Sequence, residues 1–126
     1  MVSNDQPDPD YTEPLRVGRE QRERAVLVHA TGEVDPSTAP LLREQLTAAF
    51  EDAGTSRLPV VVDLSGVSFF ASVGLSLLVE HHQQGQRQGT PLRVVAPART
   101  MLRALRATTL NQLLDLYPTL TDALDA

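Results

Sequence analysis

The chain contains no cysteine. That excludes disulfides, cysteine nucleophiles and thiolate metal sites, and it removes any argument for an oxidising compartment. Lysine is absent as well: all eleven basic residues are arginine, as GC-rich codon usage would produce. A Schiff-base lysine and a P-loop lysine are thereby excluded. Aromatic residues make up only 4% of the chain, and no basic stripe accompanies them. Nucleic-acid binding by charge or by base stacking is therefore not expected. No apolar run approaches the roughly 18 residues that a membrane-spanning helix needs. The acidic, polar start is unlike a secretory signal. A cytoplasmic protein without a membrane partner is the expectation.

What is present suffices for one domain. The 126 residues are 41% apolar and 21% charged, with a net charge of −5, a balance that supports a packed core without staples. Asp5, Asp8, Asp10 and Glu13 supply four negative charges, and no basic residue occurs among the first thirteen. Residues 1–13 read as a flexible acidic tail. Residues 14–126 read as the domain.

Apolar periodicity places alternating strands and helices along that domain. Leu15 to Glu20 predicts a short edge strand. Ala25 to Thr31 predicts a stronger one bounded by Gly32. Ser37 or Thr38 would cap a helix whose buried face is Leu42, Leu46, Ala49, Phe50 and Ala53, with Gly54 as its stop. The unbroken valines of Leu58 to Leu64 predict a strand buried on both faces, as in parallel pairing. A loop and then a helix over about 73–84 follow. That helix would set Leu75, Leu78 and His82 on one face with Leu77 and His81 beside them, and Gln83 to Gly89 would be its polar exit. Leu92 to Ala96 predicts a further strand. Met101, Leu102 and Leu105 mark a short helix. Leu113 to Tyr117 reads as a last strand, and Pro118 to Leu124 as a closing helix capped by Thr119 or Thr121. The pattern predicts an α/β fold: a mixed β-sheet of four to five strands packed with about four helices.

Catalysis finds little support. His81 and His82 are neighbours on a helix and point about 100° apart, a poor arrangement for joint metal binding. No nucleophile elbow, Walker motif or Gly-rich dinucleotide loop occurs. Asp35 follows a strand in a turn, and Asp63 ends another strand. Either they border a common face at the strands' C-terminal ends, or they cap turns, as Asp often does. Ser72 stands at the start of a helix, where unpaired backbone N–H groups favour negative charge. It would be a natural N-cap, and a phosphate added there would place about −1.5 to −2 charges at a loop tip. A small hydrolase using Ser72 would lack a positioned base, since His29 would have to reach across the sheet.

Three separated segments resemble STAS domains. Val28 to Asp35, followed by Thr38 and Ala39, is similar to that family's strand–Gly-Glu-(Leu/Val)-Asp opening. Val60 to Leu75 is similar, without gaps, to its central signature Asp-Leu-Ser-x-Val-x-Phe-hydrophobic-Asp-Ser-(Ser/Thr)-Gly-Leu. Met101 to Leu110 and Leu113 to Leu124 look like its ending. The resemblance covers about residues 15–125. It implies a STAS-type sheet and the function of an anti-sigma factor antagonist, a non-enzymatic module without cofactor or metal. Such a module binds an anti-sigma factor of serine-kinase fold and so releases a sigma factor. The kinase phosphorylates the signature serine, which ends binding, and a phosphatase restores it. The resemblance puts that serine at Ser72, with Asp35, Ser37, Val73 and Gly74 on the partner-facing surface; the glycine would let a partner's backbone approach closely. Two positions depart from the signature. Ala71 replaces the acid before the serine, and Val73 replaces the hydroxyl residue after it. The alternative expectation is thus a non-phosphorylated STAS scaffold or ligand-sensing interaction module that uses the same face without a switch.

Overall fold

The computed structural model describes residues 14–96 and 113–126. In chain order it contains strand β1 (Arg16–Gln21), β2 (Val26–Val34), helix α1 (Ala39–Ser56), β3 (Val60–Phe70), α2 (Ser72–Gln88), β4 (Leu92–Val95), β5 (Asp115–Tyr117) and α3 (Leu120–Asp125). The sheet order is β1-β2-β3-β4-β5. β1 pairs with β2 antiparallel and the remaining pairs are parallel. This is the mixed sheet that the sequence predicts, with five strands and three helices among the described residues. The acidic tail of residues 1–13 and the helix expected at Met101 to Leu105 lie outside the described residues.

One face of the sheet carries the main core. Val26, Val28, Ala30, Val60, Val62, Leu64, Leu92 and Val94 meet Leu42, Leu46, Ala49, Phe50 and Ala53 of α1 and Leu75, Leu77 and Leu78 of α2. On the other face Leu27, Val61 and Val95 pack with Ala123 of α3. The valine run of β3 is therefore buried on both sides, which is why it shows no alternation. Thr119 caps α3 through its hydroxyl, which accepts the N–H of Asp122 at 3.1 Å.

Several boundaries differ from expectation, each for a local reason. α1 does not stop at Gly54 but runs to Ser56, and Arg57 closes it in the left-handed region at φ 59°. Tertiary packing of Ala53 and Leu58 outweighs the local glycine signal. α2 continues through the Gln/Gly segment to Gln88, and Gly89 (φ 75°) is its cap. Gly85 lies inside the helix because a Cβ there would stand 2.2 Å from the carbonyl oxygen of Thr90. Of the two adjacent histidines, His81 is the buried one: its Nδ1–H donates to the Leu77 carbonyl at 2.8 Å and its ring faces Phe50. His82 is half-buried, off the apolar stripe.

β2 and β3 both run beyond their expected ends. β2 continues through Gly32 to Val34, and β3 through the expected loop to Phe70, with register shifts after His29 and after Gly32. Gly32 adopts φ 108°, and the backbone of Pro14 crosses directly over it. At the free edge of the sheet, Arg19 of β1 reaches across to Asp52 (3.0 Å) and Gln45 (2.6 Å) of α1, while Arg22 donates to Glu20.

Candidate functional site

Two chain reversals meet at the C-terminal end of the parallel strands. The first leaves β2 at Val34 and enters α1 through Asp35-Pro36-Ser37-Thr38. Asp35 organises it. Its Oδ1 accepts the Ser37 N–H at 2.8 Å, the Ser37 hydroxyl at 2.7 Å and the Thr38 N–H at 3.0 Å. Its backbone carbonyl accepts the N–H groups of Thr38 and Ala39. These bonds favour the charged form, so the Ser37 hydroxyl first, and then the Thr38 N–H, hold the Asp35 carboxyl below its ordinary value. Oδ2 has no hydrogen-bond partner among the described residues. Thr38 is the N-cap residue, but its hydroxyl does not cap the helix; it donates back to the Glu33 carbonyl at 2.9 Å and accepts the Asp35 N–H at 2.9 Å. Ser37 is exposed.

The second reversal is sharper. β3 ends at Phe70, Ala71 is the extended N-cap residue (φ −77°, ψ 166°), and Ser72 is the first residue of α2. Ser72 is thus not the N-cap that its position in the sequence suggests. Its side chain is exposed, and its hydroxyl makes no hydrogen bond to a described residue. Its carbonyl accepts the hydroxyl of Ser76. Val73 is half-buried against the core, and Gly74 is buried. A Cβ on Gly74 would stand 2.5 Å from the Phe70 ring. The missing side chain thus makes room for an internal aromatic ring, not for an approaching backbone.

The two reversals are tied together. Val34 pairs in register with Phe70, the Ala71 N–H donates to the Val34 carbonyl at 2.9 Å, and the Ser68 hydroxyl donates to the Gly32 carbonyl at 3.3 Å. Asp35, Ser37 and Ser72 therefore share one end of the described structure. Asp63 does not join them. It lies within β3 opposite His29 and Val95, and its carboxylate accepts the Ser65 N–H. Asp63 therefore neither borders the strands' C-terminal end nor caps a turn; it makes a local bond inside the strand. His29 is five residues before Val34 on β2, roughly 15 Å along a strand, so it is not placed to serve Ser72. Among the described residues no group of three or more histidines and acids is placed to hold a metal ion, and no helix is long and apolar enough to cross a membrane.

Sequence reasoning missed two features of this end. One is the Ala71–Val34 bond, which depends on β3 extending as strand to Phe70. The other is Phe69, a large apolar side chain left exposed beside the buried Phe70. Two consecutive phenylalanines at a strand's end were the available signal, because successive strand residues point to opposite faces.

A five-strand mixed sheet, with paired reversals at one end, α1 and α2 over one face and α3 on the other, defines an α/β domain of the STAS type. The STAS domain family model matches residues 17–123, and the chain belongs to that family. It is 29% identical over 112 residues to the anti-sigma-F factor antagonist RsfA of Mycobacterium tuberculosis, covering 89% of this chain and 87% of that one. It is 28% identical over 102 residues to the anti-sigma-B factor antagonist of Bacillus subtilis, covering 81% and 90%. The crystal structure of an anti-sigma factor antagonist from Mycobacterium paratuberculosis superimposes with a TM-score of 0.79 at 33% identity, over 94% of this chain and 95% of that one.

Proposed function

We propose that this protein is an anti-sigma factor antagonist: residues 14–126 form a module that binds an anti-sigma factor of serine-kinase fold and so frees a sigma factor. The observation that carries the reading is the state of Ser72. It is exposed, its hydroxyl bonds to none of the described residues, and it is first in its helix, on the same end as the Asp35 loop. The names of the relatives supply the class of partner.

In this reading the module acts by docking, in the cytoplasm, and catalyses nothing itself. Asp35, Ser37 and Ser72 face the partner, while Val73 and Gly74 shape the turn that presents them. The partner kinase transfers the γ-phosphoryl group of ATP to Ser72. A bond forms from the serine Oγ to phosphorus, the bond from phosphorus to the β–γ bridging oxygen breaks, ADP leaves, and the hydroxyl proton passes to a base of the kinase. The added charge would have to be desolvated in the docked complex, which opposes binding. A phosphatase reverses the change.

The experiment combines the purified protein with a serine-kinase-fold anti-sigma factor of the source genome and ATP, followed by intact-mass measurement. One added phosphate, absent in Ser72→Ala, is the expected result. Ala71 favours a second reading. It stands where the family signature has an acid, so docking without a switch is the outcome if the wild type binds the partner yet gains no phosphate.

A further inference from the structure

Three large apolar side chains are exposed among the described residues: Phe69 at 49%, Leu41 at 48% and Leu113 at 53%. Two of the three stand at the end that carries Ser72. Phe69 precedes Ser72 by three residues and pairs in register with Glu33, two residues before Asp35. Leu41 lies in the first turn of α1, and its N–H donates to the carbonyl of Thr38, the residue that Asp35 holds. Leu113 precedes β5, which runs parallel to β4, so it belongs to the opposite end of the sheet.

The fold itself turns both residues at the Ser72 end outward. β3 ends with Phe70 turned inward beneath the helix, over Gly74, which leaves Phe69 turned outward. In α1 the buried stripe is Ala39, Leu42, Leu46, Ala49, Phe50 and Ala53, and Leu41 is off it. An exposed aromatic and an exposed aliphatic side chain stand at the same end of the sheet as Ser72, and aromatic anchors often dominate binding energy at an interaction surface.

We infer that Phe69 and Leu41 are apolar anchors flanking the polar centre of the docking end, and that the occupant is the anti-sigma factor, which must offer apolar contact on both sides of its phosphoryl-transfer site. The inference rests on the reading of the preceding section, and the surface is continuous with the tip proposed there. It divides the work of the interface. Phe69 and Leu41 supply salt-insensitive affinity, and Ser72 supplies the charge that can be switched.

The test measures affinity by calorimetry for the same purified serine-kinase-fold anti-sigma factor, with Phe69→Ala, Leu41→Ala, Leu113→Ala and Phe69→Leu. Phe69→Ala should weaken binding by at least about tenfold, the scale of an aromatic anchor. Leu41→Ala should weaken it several-fold, Phe69→Leu should retain most of it, and Leu113→Ala should leave it unchanged. The loss from Phe69→Ala should persist at high salt. Thermal melting of each variant checks that the fold is intact. If Phe69→Ala and Leu41→Ala bind like the wild type while Ser72→Asp binds weakly, the inference fails and the reading of function stands. If Leu113→Ala loses as much as Phe69→Ala, the anchors are not specific to this end and the inference fails too. If the wild type binds no such partner, both fail together.

Discussion

The backbone N–H of Ala71 donates to the carbonyl of Val34 at 2.9 Å, and this bond joins the residue before Ser72 to the residue before Asp35. Ala71 sits at φ −77°, a value proline accepts. Ala71→Pro keeps that backbone angle but removes the donor, and its Cδ crowds the Val34 carbonyl where the amide hydrogen had been. The expected cost is about 1–3 kcal/mol, more than the net worth of one such bond. Urea denaturation should show it without a change in slope, and affinity for the anti-sigma factor should fall as the two reversals lose their common footing.

Ser72→Asp should separate binding from stability. A negative charge in the first turn of α2 interacts favourably with the helix N-terminus, so melting should stay level or rise, by an equivalent of about 0.3–1 kcal/mol. Partner affinity should fall by about 1–3 kcal/mol, because the same charge must lose water on docking. A variant that binds as well as the wild type contradicts the proposed switch. Calorimetry and thermal melting on one preparation decide it.

The Asp35 loop should respond to acid with a definite sign. Hydrogen bonds from the Ser37 hydroxyl and then the Thr38 N–H depress the folded-state pKa of Asp35 below 3.8. A depressed carboxylate contributes stability that is present above its unfolded pKa and lost as pH falls through the folded one. Asp35→Asn keeps an acceptor oxygen but not the charge. The wild type should therefore melt above Asp35→Asn at neutral pH and at pH 5. The difference should shrink below about pH 4 and vanish once Asp35 is protonated in the fold. Melting curves of both proteins across that range provide the check. A difference that grows in acid contradicts the assignment.

Two glycines in α2 should respond differently to alanine. At Gly85 the new Cβ meets backbone, the Thr90 carbonyl oxygen, at 2.2 Å. The helix end must move, and a loss of about 1–3 kcal/mol is expected despite alanine's better helix propensity. At Gly74 the obstacle is the Phe70 ring at 2.5 Å, a side chain that can rotate. Its loss should be smaller in denaturation, with a larger effect on partner binding, since the displaced ring lies under the Ser72 turn.

Most of the architecture was legible because burial leaves periodic traces. The valines of β3 and the stripe of α1 could be read from spacing, which also narrowed the last helix's cap to Thr119 or Thr121. The ends of elements were less legible because long-range contacts set them. Gly54 signals a stop locally, but Ala53 and Leu58 pack into the core on either side of the helix end. Ser65 to Phe70 look like a loop, yet the register with β2 keeps them extended. The Ser72 end was found through its resemblance to a family signature and through the chemistry of a helix start. The roles of Thr38 and Ala71 were not, because a hydroxyl that bonds backward and an alanine that acts through its amide have no signature of their own.

The sheet has one long open border, β1, and its side chains include Arg16, Arg19 and Glu20, with Arg19 fastened down onto α1. Strand borders that bear charge resist templating by another chain. A border of this kind keeps copies of the domain from adding strand to strand, so the sheet stays a closed unit even where many copies meet.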